Sequence, residues 1–350
     1  MVGRFAFAVP GDLATPTGGY GYDRRMMAEL GDLGWQIDHL DLGEGFPWPD
    51  EATRAEAQTQ LSAVPAGRPI VIDGLALGVL PEAALRLAAR NPLLALVHHP
   101  LALEWGLSAA QADALRRSER AALAAVKSVV VTSAATASLV VSDYGVPAER
   151  ILVARPGSDP VPLAQGSHGD IVRLLSVGAV VPRKGFDVLI AALATLIDLP
   201  WRLAIAGDRT RDRNATARLD TDIACYALGD RIAALGAVSP ERLAALYTEA
   251  DLFVLASRFE GYGMAYAEAI AHGLPVIGST AGAIPDTVPP DAGLLVAPGD
   301  IEALAQALRR VIGDAALRRR LAEAARAAAP QLPTWRQSAK IFAGALERLA

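Results

Sequence analysis

The chain has 350 residues, more than one ordinary domain of roughly 150, so about two domains are expected. Hydrophobic residues make up 52% and charged residues 20%, which supplies real cores and excludes a disordered chain. Thirty-three Lys and Arg against 38 Asp and Glu leave a formal charge of −5, without the basic footprint of a nucleic-acid binder.

The first ten residues, MVGRFAFAVP, are apolar but too short for a signal peptide, and they read as a buried strand at 4–9. Further strands are expected at 37–40, 70–72, 93–97, 128–132 and 151–153. Helical patterns fill the intervals at 22–33, 50–61, 81–89, 109–125 and 135–144. Such alternation implies a parallel sheet covered on both faces. Residues 155–170 (RPGSDPVPLAQGSHGD) carry no apolar period and read as an interdomain linker.

A second series follows, with strands at 172–177, 202–206, 232–235, 252–256 and 275–278 and helices at 185–197, 216–227, 240–248 and 263–271. Two helical patterns, 300–329 and 333–350, end the chain. The expected fold is α/β, with two doubly wound Rossmann-like domains at 1–160 and 171–330 facing a cleft. Ligands bind such sheets beyond the carboxyl ends of the strands. No uncharged run reaches the ~20 residues of a membrane span. The single cysteine, Cys225, excludes a disulfide framework and a Cys-rich zinc site, and fits a reducing compartment.

Four segments carry candidate chemistry. In SRFEGYGMAYAE (257–268), Gly261 and Gly263 permit a tight strand-to-helix turn, and the helix points free N–H groups at an anion. Glu260 and Glu268 are carboxylates suited to accepting hydrogen bonds from vicinal diols, one on a sugar and one on a ribose. In VGAVVPRKGFD (177–187), Arg183 and Lys184 suit a diphosphate, the Arg as a fork and the Lys as a point charge. Position alone leaves that pair open between a phosphate clamp and two solvated cations. The glycines of PTGGYG (16–21) would let a ligand approach the backbone, but Arg24 stands where the dinucleotide fingerprint needs its third glycine. His98 and His99 follow the strand at 93–97; either could donate a hydrogen bond or shuttle a proton, and neighbours on a strand would face opposite ways. No H-E-x-x-H or C-x-x-C is present, so no metal site is expected.

Together these motifs resemble the retaining nucleotide-sugar glycosyltransferases of GT-B fold, family 4 (glycosyl transferases group 1), over nearly the whole chain. Glu260 and Glu268 sit on the family's E-x7-E signature, and Lys184 on its donor-diphosphate lysine. Gly18 and Gly19 resemble its N-terminal glycine loop, and His98 its strand-end histidine, which touches the transferred sugar. Gly207, Asp208 and residues 279–285 resemble donor-site loops, and Trp335 the helix that returns to the first domain. One departure stands out: the family carries Arg where this chain has Ala179, and Arg183 is a candidate substitute.

The resemblance implies His98, Glu260 and Lys184 as catalytic residues. It implies donor contacts from Gly18, Gly19, Arg183, Lys184, Gly207, Asp208, Glu260, Gly261, Tyr262, Gly263, Met264 and Glu268. The co-substrate would be a UDP- or GDP-linked sugar, with no cofactor and no metal. An acceptor (small molecule, glycan or lipid) would meet His99, Trp48 and Trp105. Two alternatives stay open: a nucleotide-sugar epimerase or hydrolase of the same fold, and a non-catalytic nucleotide-sugar-binding protein. The expected location is cytoplasmic. Arg116, Arg117, Arg120 and Lys127 leave peripheral membrane contact open, with Asp113 and Glu119 diluting their charge.

Overall fold

A computed structural model describes residues 3–349, so Met1, Val2 and Ala350 fall outside the described residues. The chain forms two compact units, Met1–Gly157 with Pro333–Ala350, and Ser158–Leu332.

The first unit is built on a six-stranded parallel sheet: β1 (Arg4–Val9), β2 (Gln36–Asp41), β3 (Ile70–Asp73), β4 (Leu93–Val97), β5 (Ser128–Val131) and β6 (Ile151–Val153). The strand order is β2-β1-β3-β4-β5-β6. Every residue of β3, β4 and β5 is buried, which is why IVID, LLALV and SVVV run apolar without alternation. Helices α1 (Gly18–Asp32), α2 (Glu51–Ala63), α3 (Gly74–Leu77), α4 (Pro81–Ala88), α5 (Ala109–Ala125) and α6 (Ala134–Ser142) connect the strands. Thr17, Asp50, Ser108 and Ser133 begin four of them by accepting a backbone N–H three residues on.

The second unit has six parallel strands: β7 (Val172–Val177), β8 (Trp201–Ala206), β9 (Ile232–Gly236), β10 (Leu252–Val254), β11 (Val276–Ser279) and β12 (Gly293–Val296). Their order is β12-β11-β10-β7-β8-β9, so the direction of winding reverses between β7 and β10. Its helices are α7 (Phe186–Ala194), α8 (Arg213–Cys225), α9 (Pro240–Glu249), α10 (Met264–Ala271), α11 (Ile284–Thr287), α12 (Ile301–Gly313) and α13 (Ala315–Ala328). The last helix, α14 (Trp335–Glu347), belongs to the first unit and packs on α1.

Three local expectations are corrected. Residues 158–170 are not a free linker but run with the second unit. The Ala164 N–H donates to His272 O at 2.7 Å, the His272 ring Nδ1 donates to Pro162 O at 2.7 Å, and the Ser167 N–H donates to Asp251 at 2.9 Å. Backbone bonds, invisible to hydrophobic periodicity, hold that stretch. The pattern at 300–329 breaks at Asp314, whose carboxylate accepts from the N–H groups of Ala316 and Leu317 at 2.9 Å each and starts α13. Gly18 and Gly19 form the first turn of α1, because Thr17 caps the helix four residues earlier than its apolar pattern begins.

Candidate functional site

In the second unit the candidate residues gather where the winding reverses, the usual ligand position of a doubly wound sheet. The segment after β7 brings Arg183 and Lys184; the segment after β10 brings Ser257 and Glu260. Lys184 Nζ donates to Glu260 Oε1 at 2.6 Å, and Arg183 lies 3.2 Å from Oε2. The Ser257 hydroxyl also donates to Oε1, at 2.6 Å. Backbone contacts weld the two segments: the Arg258 N–H donates to Arg183 O at 2.7 Å, and the Arg183 side chain to Phe259 O at 2.8 Å. Arg258 adds a two-pronged pair with Asp187 at 2.9 and 2.7 Å.

Electrostatics follows from this crowding. Burial works to raise the Glu260 carboxyl, but Lys184 and Arg183 outweigh it and hold it at about 2. Burial, with Arg183 beside it, draws the Lys184 ammonium below its usual range, and Glu260 opposes that. Glu268, eight residues on, faces another partner: the Tyr247 hydroxyl donates to its Oε2 at 2.8 Å. Burial raises the Glu268 carboxyl.

Glycines shape the surroundings by close approach. A Cβ on Gly185, whose φ is +67°, would lie 2.0 Å from Ala256 O. One on Gly207 would lie 1.9 Å from Gly178 O, so the ends of β7 and β8 touch. A Cβ on Gly282 would lie 2.2 Å from Glu260 O, which also accepts the Ala283 N–H at 2.9 Å; loop 279–285 thus rests on the Glu260 backbone. Gly185 and Gly263 begin α7 and α10, and neither helix has a side-chain cap, so both N-termini keep N–H groups for an anion. Tyr262 is buried, and Gly261 and Met264 are half-buried in the same turn. Asp208 spends an oxygen on its own turn, accepting the Thr210 N–H and hydroxyl at 2.7 and 2.8 Å. Ala179 brings no charge, whereas Arg183 does bring one to the carboxylate that Lys184 meets.

The first unit holds a separate constellation. His98 follows β4, and its Nε2 lies 3.1 Å from Asp23 Oδ1 of α1 and 3.3 Å from Asp73 Oδ2 at the end of β3. Asp23 is fully buried, and its Oδ2 has no hydrogen-bond partner among the described residues. Tyr22 stands edge-on to the His98 ring at 5.3 Å, and the Thr132 hydroxyl donates to His98 O at 3.1 Å. Burial opposes the imidazolium, yet Asp23 and Asp73 outweigh it and push His98 up to about 10. Burial raises the Asp23 carboxyl to about 7, against the pull of His98. The three ligand atoms lie within 4.8 Å of one another, close enough to hold a cation. Gly19, in the first turn of α1, lies against the ring.

The two histidines therefore separate. His99 pairs elsewhere, with Nε2 3.2 Å from Glu104 Oε2. Trp48 and Trp105 are each 53% exposed. Their loops share a small apolar cluster in which Phe46 and Leu107 pack on Val79, Leu101, Ala102 and Leu115. On α5 the expected dilution of charge is half corrected. Asp113 pairs with Arg116 at 3.0 Å, but Glu119 is buried and accepts the Leu101 N–H at 3.0 Å, so it does not reach the surface. No helix among the described residues is long and apolar enough to cross a membrane.

Sequence reasoning missed Asp23, Asp73, Ser257 and Tyr247. Asp73 ends a strand and could have been found by the logic that singled out His98. Ser257 opens the 257–268 segment, three residues before its partner Glu260, whereas Asp23 and Tyr247 carry no local signal, since their partners come from elsewhere in the fold.

Comparison with known proteins adds five findings. Residues 165–328 match the family model described as glycosyl transferases group 1. The MMP α-(1→4)-mannosyltransferase of Mycolicibacterium hassiacum is 28% identical over 87% of this chain and 77% of its own length. The mannosylfructose-phosphate synthase of Agrobacterium fabrum is 31% identical over 43% of this chain, but only 37% of its own length. Among solved structures, sucrose-phosphate synthase from Thermosynechococcus elongatus superposes with a TM-score of 0.84 at 22% identity, over 100% of this chain and 99% of that one. Anabaena HepE, in complex with UDP-glucose, gives 0.78 at 20% identity, over 99% of both chains.

Proposed function

We propose that the chain, which has the GT-B fold and matches the glycosyl transferases group 1 model over residues 165–328, moves a hexose from a nucleoside-diphosphate sugar to an acceptor hydroxyl with retention at the anomeric carbon. The observation that carries this reading is the meeting of Arg183, Lys184 and Glu260 where the second sheet reverses, beside the uncapped N-termini of α7 and α10. Two cations and two helix ends are what a departing diphosphate requires. They supply that charge from the chain itself, so no metal ion is needed. UDP- and GDP-linked hexoses are the donors to try first, because HepE was solved with UDP-glucose and a corynebacterial relative is named GDP-mannose-dependent.

In this reading Lys184 and Arg183 take up the negative charge that develops as the anomeric C–O bond breaks. Glu260 keeps both cations in place and has one oxygen only singly bonded, which can accept a hydroxyl from the sugar. Glu268, already gripped by Tyr247, offers its other oxygen to the ribose. The acceptor hydroxyl attacks from the face the diphosphate leaves and passes its proton to the departing phosphate oxygen. In the first unit, the family resemblance gives His98 as a sugar contact and Trp48 and Trp105 as acceptor-side residues.

A panel of nucleotide sugars screened by thermal shift tests the proposal. A true donor at a hundredfold its Kd stabilises the protein by about 2.7 kcal/mol. Product NMR with that donor should then show the anomeric configuration kept, and activity should persist in EDTA. Inversion, loss of activity in EDTA, or release of an epimer without acceptor would each defeat the corresponding part.

A further inference from the structure

The second unit has a cavity of about 360 Å³ at the amino ends of β7, β8 and β9. It lies at the opposite end of the sheet from the Lys184–Glu260 pair, which follows the carboxyl ends of β7 and β10. We propose that this cavity binds a phosphate monoester of hexose size, with Arg173, Arg202 and Arg242 around the phosphate and an apolar floor under the carbon body.

Arg173 and Arg202 are register partners on adjacent parallel strands, so their side chains leave the same face of the sheet. Like charges placed opposite each other destabilise a sheet. Arg173 is offset only weakly, its guanidinium lying 3.5 Å from Glu249 Oε2. Arg242 shares that carboxylate, 3.6 Å from Oε1. Both distances exceed the ~2.7–2.9 Å of a strong charge-assisted bond. Arg202 has no hydrogen-bond or ion-pair partner among the described residues. Arg231 is held by the carbonyls of Leu199 and Ile197 at 2.7 and 2.8 Å and lies over the Trp201 ring at 5.1 Å, so no carboxylate among the described residues meets its charge. These four guanidinium groups line the cavity with two carboxylates, Glu249 and Asp230, and leave an excess of two positive charges in a chain whose formal charge is −5. A phosphate monoester carries about −2 near neutral pH, and its oxygens suit guanidinium forks. The walls suit its carbon body. Trp201, Leu203 and Ile205 of β8 are buried, whereas Arg202 is exposed and Ala204 half-buried on the other face. Arg242, Leu246 and Glu249 fall at i, i+4 and i+7 of α9, so one side of that helix walls the cavity. Ala204, Ala233 and Leu246 give an apolar surface between the cations, the usual make-up of a small-molecule site.

The test uses the full chain in a low-salt zwitterionic buffer. Glucose 6-phosphate and mannose 6-phosphate are the probes, glucose is the uncharged control and sulfate the bare anion. Isothermal titration should show saturable one-site binding of a sugar phosphate, weaker binding of sulfate and none of glucose. Binding should persist when UDP saturates the donor site. Arg202→Ala should weaken it about tenfold or more, and Arg202→Lys should recover part of the loss, with the thermal shift by UDP unchanged in both. Without ligand, Arg202→Ala should melt no lower than wild type, because it removes the like-charge pair. If it fails to fold, Arg242→Ala takes its place. Sulfate bound as tightly as the sugar phosphates would mean an adventitious ion only and would overturn the proposal. So would equal affinity in Arg202→Ala, or binding lost under saturating UDP, which would put the phosphate in the donor site. Self-association abolished by Arg202→Glu would make the cavity a contact between copies and overturn it too. Binding is read without turnover, so a sugar phosphate held by a protein that transfers no hexose would sink the transferase reading alone. Should UDP itself fail to bind, the Arg202→Ala titration decides.

Discussion

Glu260 meets any ligand with its charge already engaged. Lys184, Arg183 and Ser257 bond it, and with the carboxyl held at about 2 it stays ionised at every working pH. Its folded value lies below the ordinary 4.5, so its contribution to stability is present above about pH 4.5 and is lost as pH falls towards 2. Glu260→Gln removes that contribution and leaves Lys184 buried without its countercharge. A loss of about 3 kcal/mol is expected. In urea titrations the variant should show a flatter stability profile than wild type between pH 4.5 and 2, and UDP or GDP should recover part of the loss by pairing with the freed cations. An equal slope in both proteins would mean that the carboxylate is not held by these partners.

At the scale of elements, the site depends on how tightly the β7 and β10 ends approach. Gly185 is the point of contact: it has a left-handed backbone, begins α7, and lies under the Ala256 carbonyl. Gly185→Ala places a Cβ into that carbonyl and adds the ordinary left-handed penalty of about 1–2 kcal/mol. The expected result is a loss of at least about 2 kcal/mol, with donor binding lost because Arg183 and Lys184 no longer reach Glu260. Full donor affinity in a folded Gly185→Ala protein would show that the contact is dispensable. Most elements were legible from periodicity, because buried parallel strands and amphipathic helices write themselves into the sequence. The family resemblance pointed to Lys184 and Glu260 as site residues one by one, but not to the ion pair between them. Residues 158–170 were not legible, since backbone hydrogen bonds rather than apolar spacing fix them. Asp73 escaped by a single residue, the expected strand stopping at Ile72 and the real one ending one later. Asp23 could not be read at all: it is a charged residue in the second turn of a helix, and its partner lies 75 residues away.

At the scale of the whole molecule, the first unit is closed by a segment from the far end of the chain. Helix α14 puts Phe342 against Phe7 at 6.3 Å and Trp335 against Tyr22 at 5.9 Å, and the Ser338 hydroxyl donates to Arg155 O. A Cβ on Gly157 would lie 2.2 Å from Trp335 N, so the chain leaves the unit in contact with the helix that returns to it. Phe342 is fully buried, and Phe342→Ala should cost about 3–5 kcal/mol. That is a large share of the ~5–15 kcal/mol that holds a domain together. The second unit has its own sheet and its own hydrophobic core, composed of residues between Ala164 and Ala325, and none of those residues comes from α14. The loss should therefore be local. In hydrogen-exchange mass spectrometry, Phe342→Ala should strip protection from β1, β5, β6 and α1 while β7 to β12 keep theirs. His98 should become more mobile as α1 loosens, because Asp23 and Tyr22 are carried on it. Equal loss across all twelve strands would show that the two units unfold as one and would sink the idea that α14 stabilises the first alone.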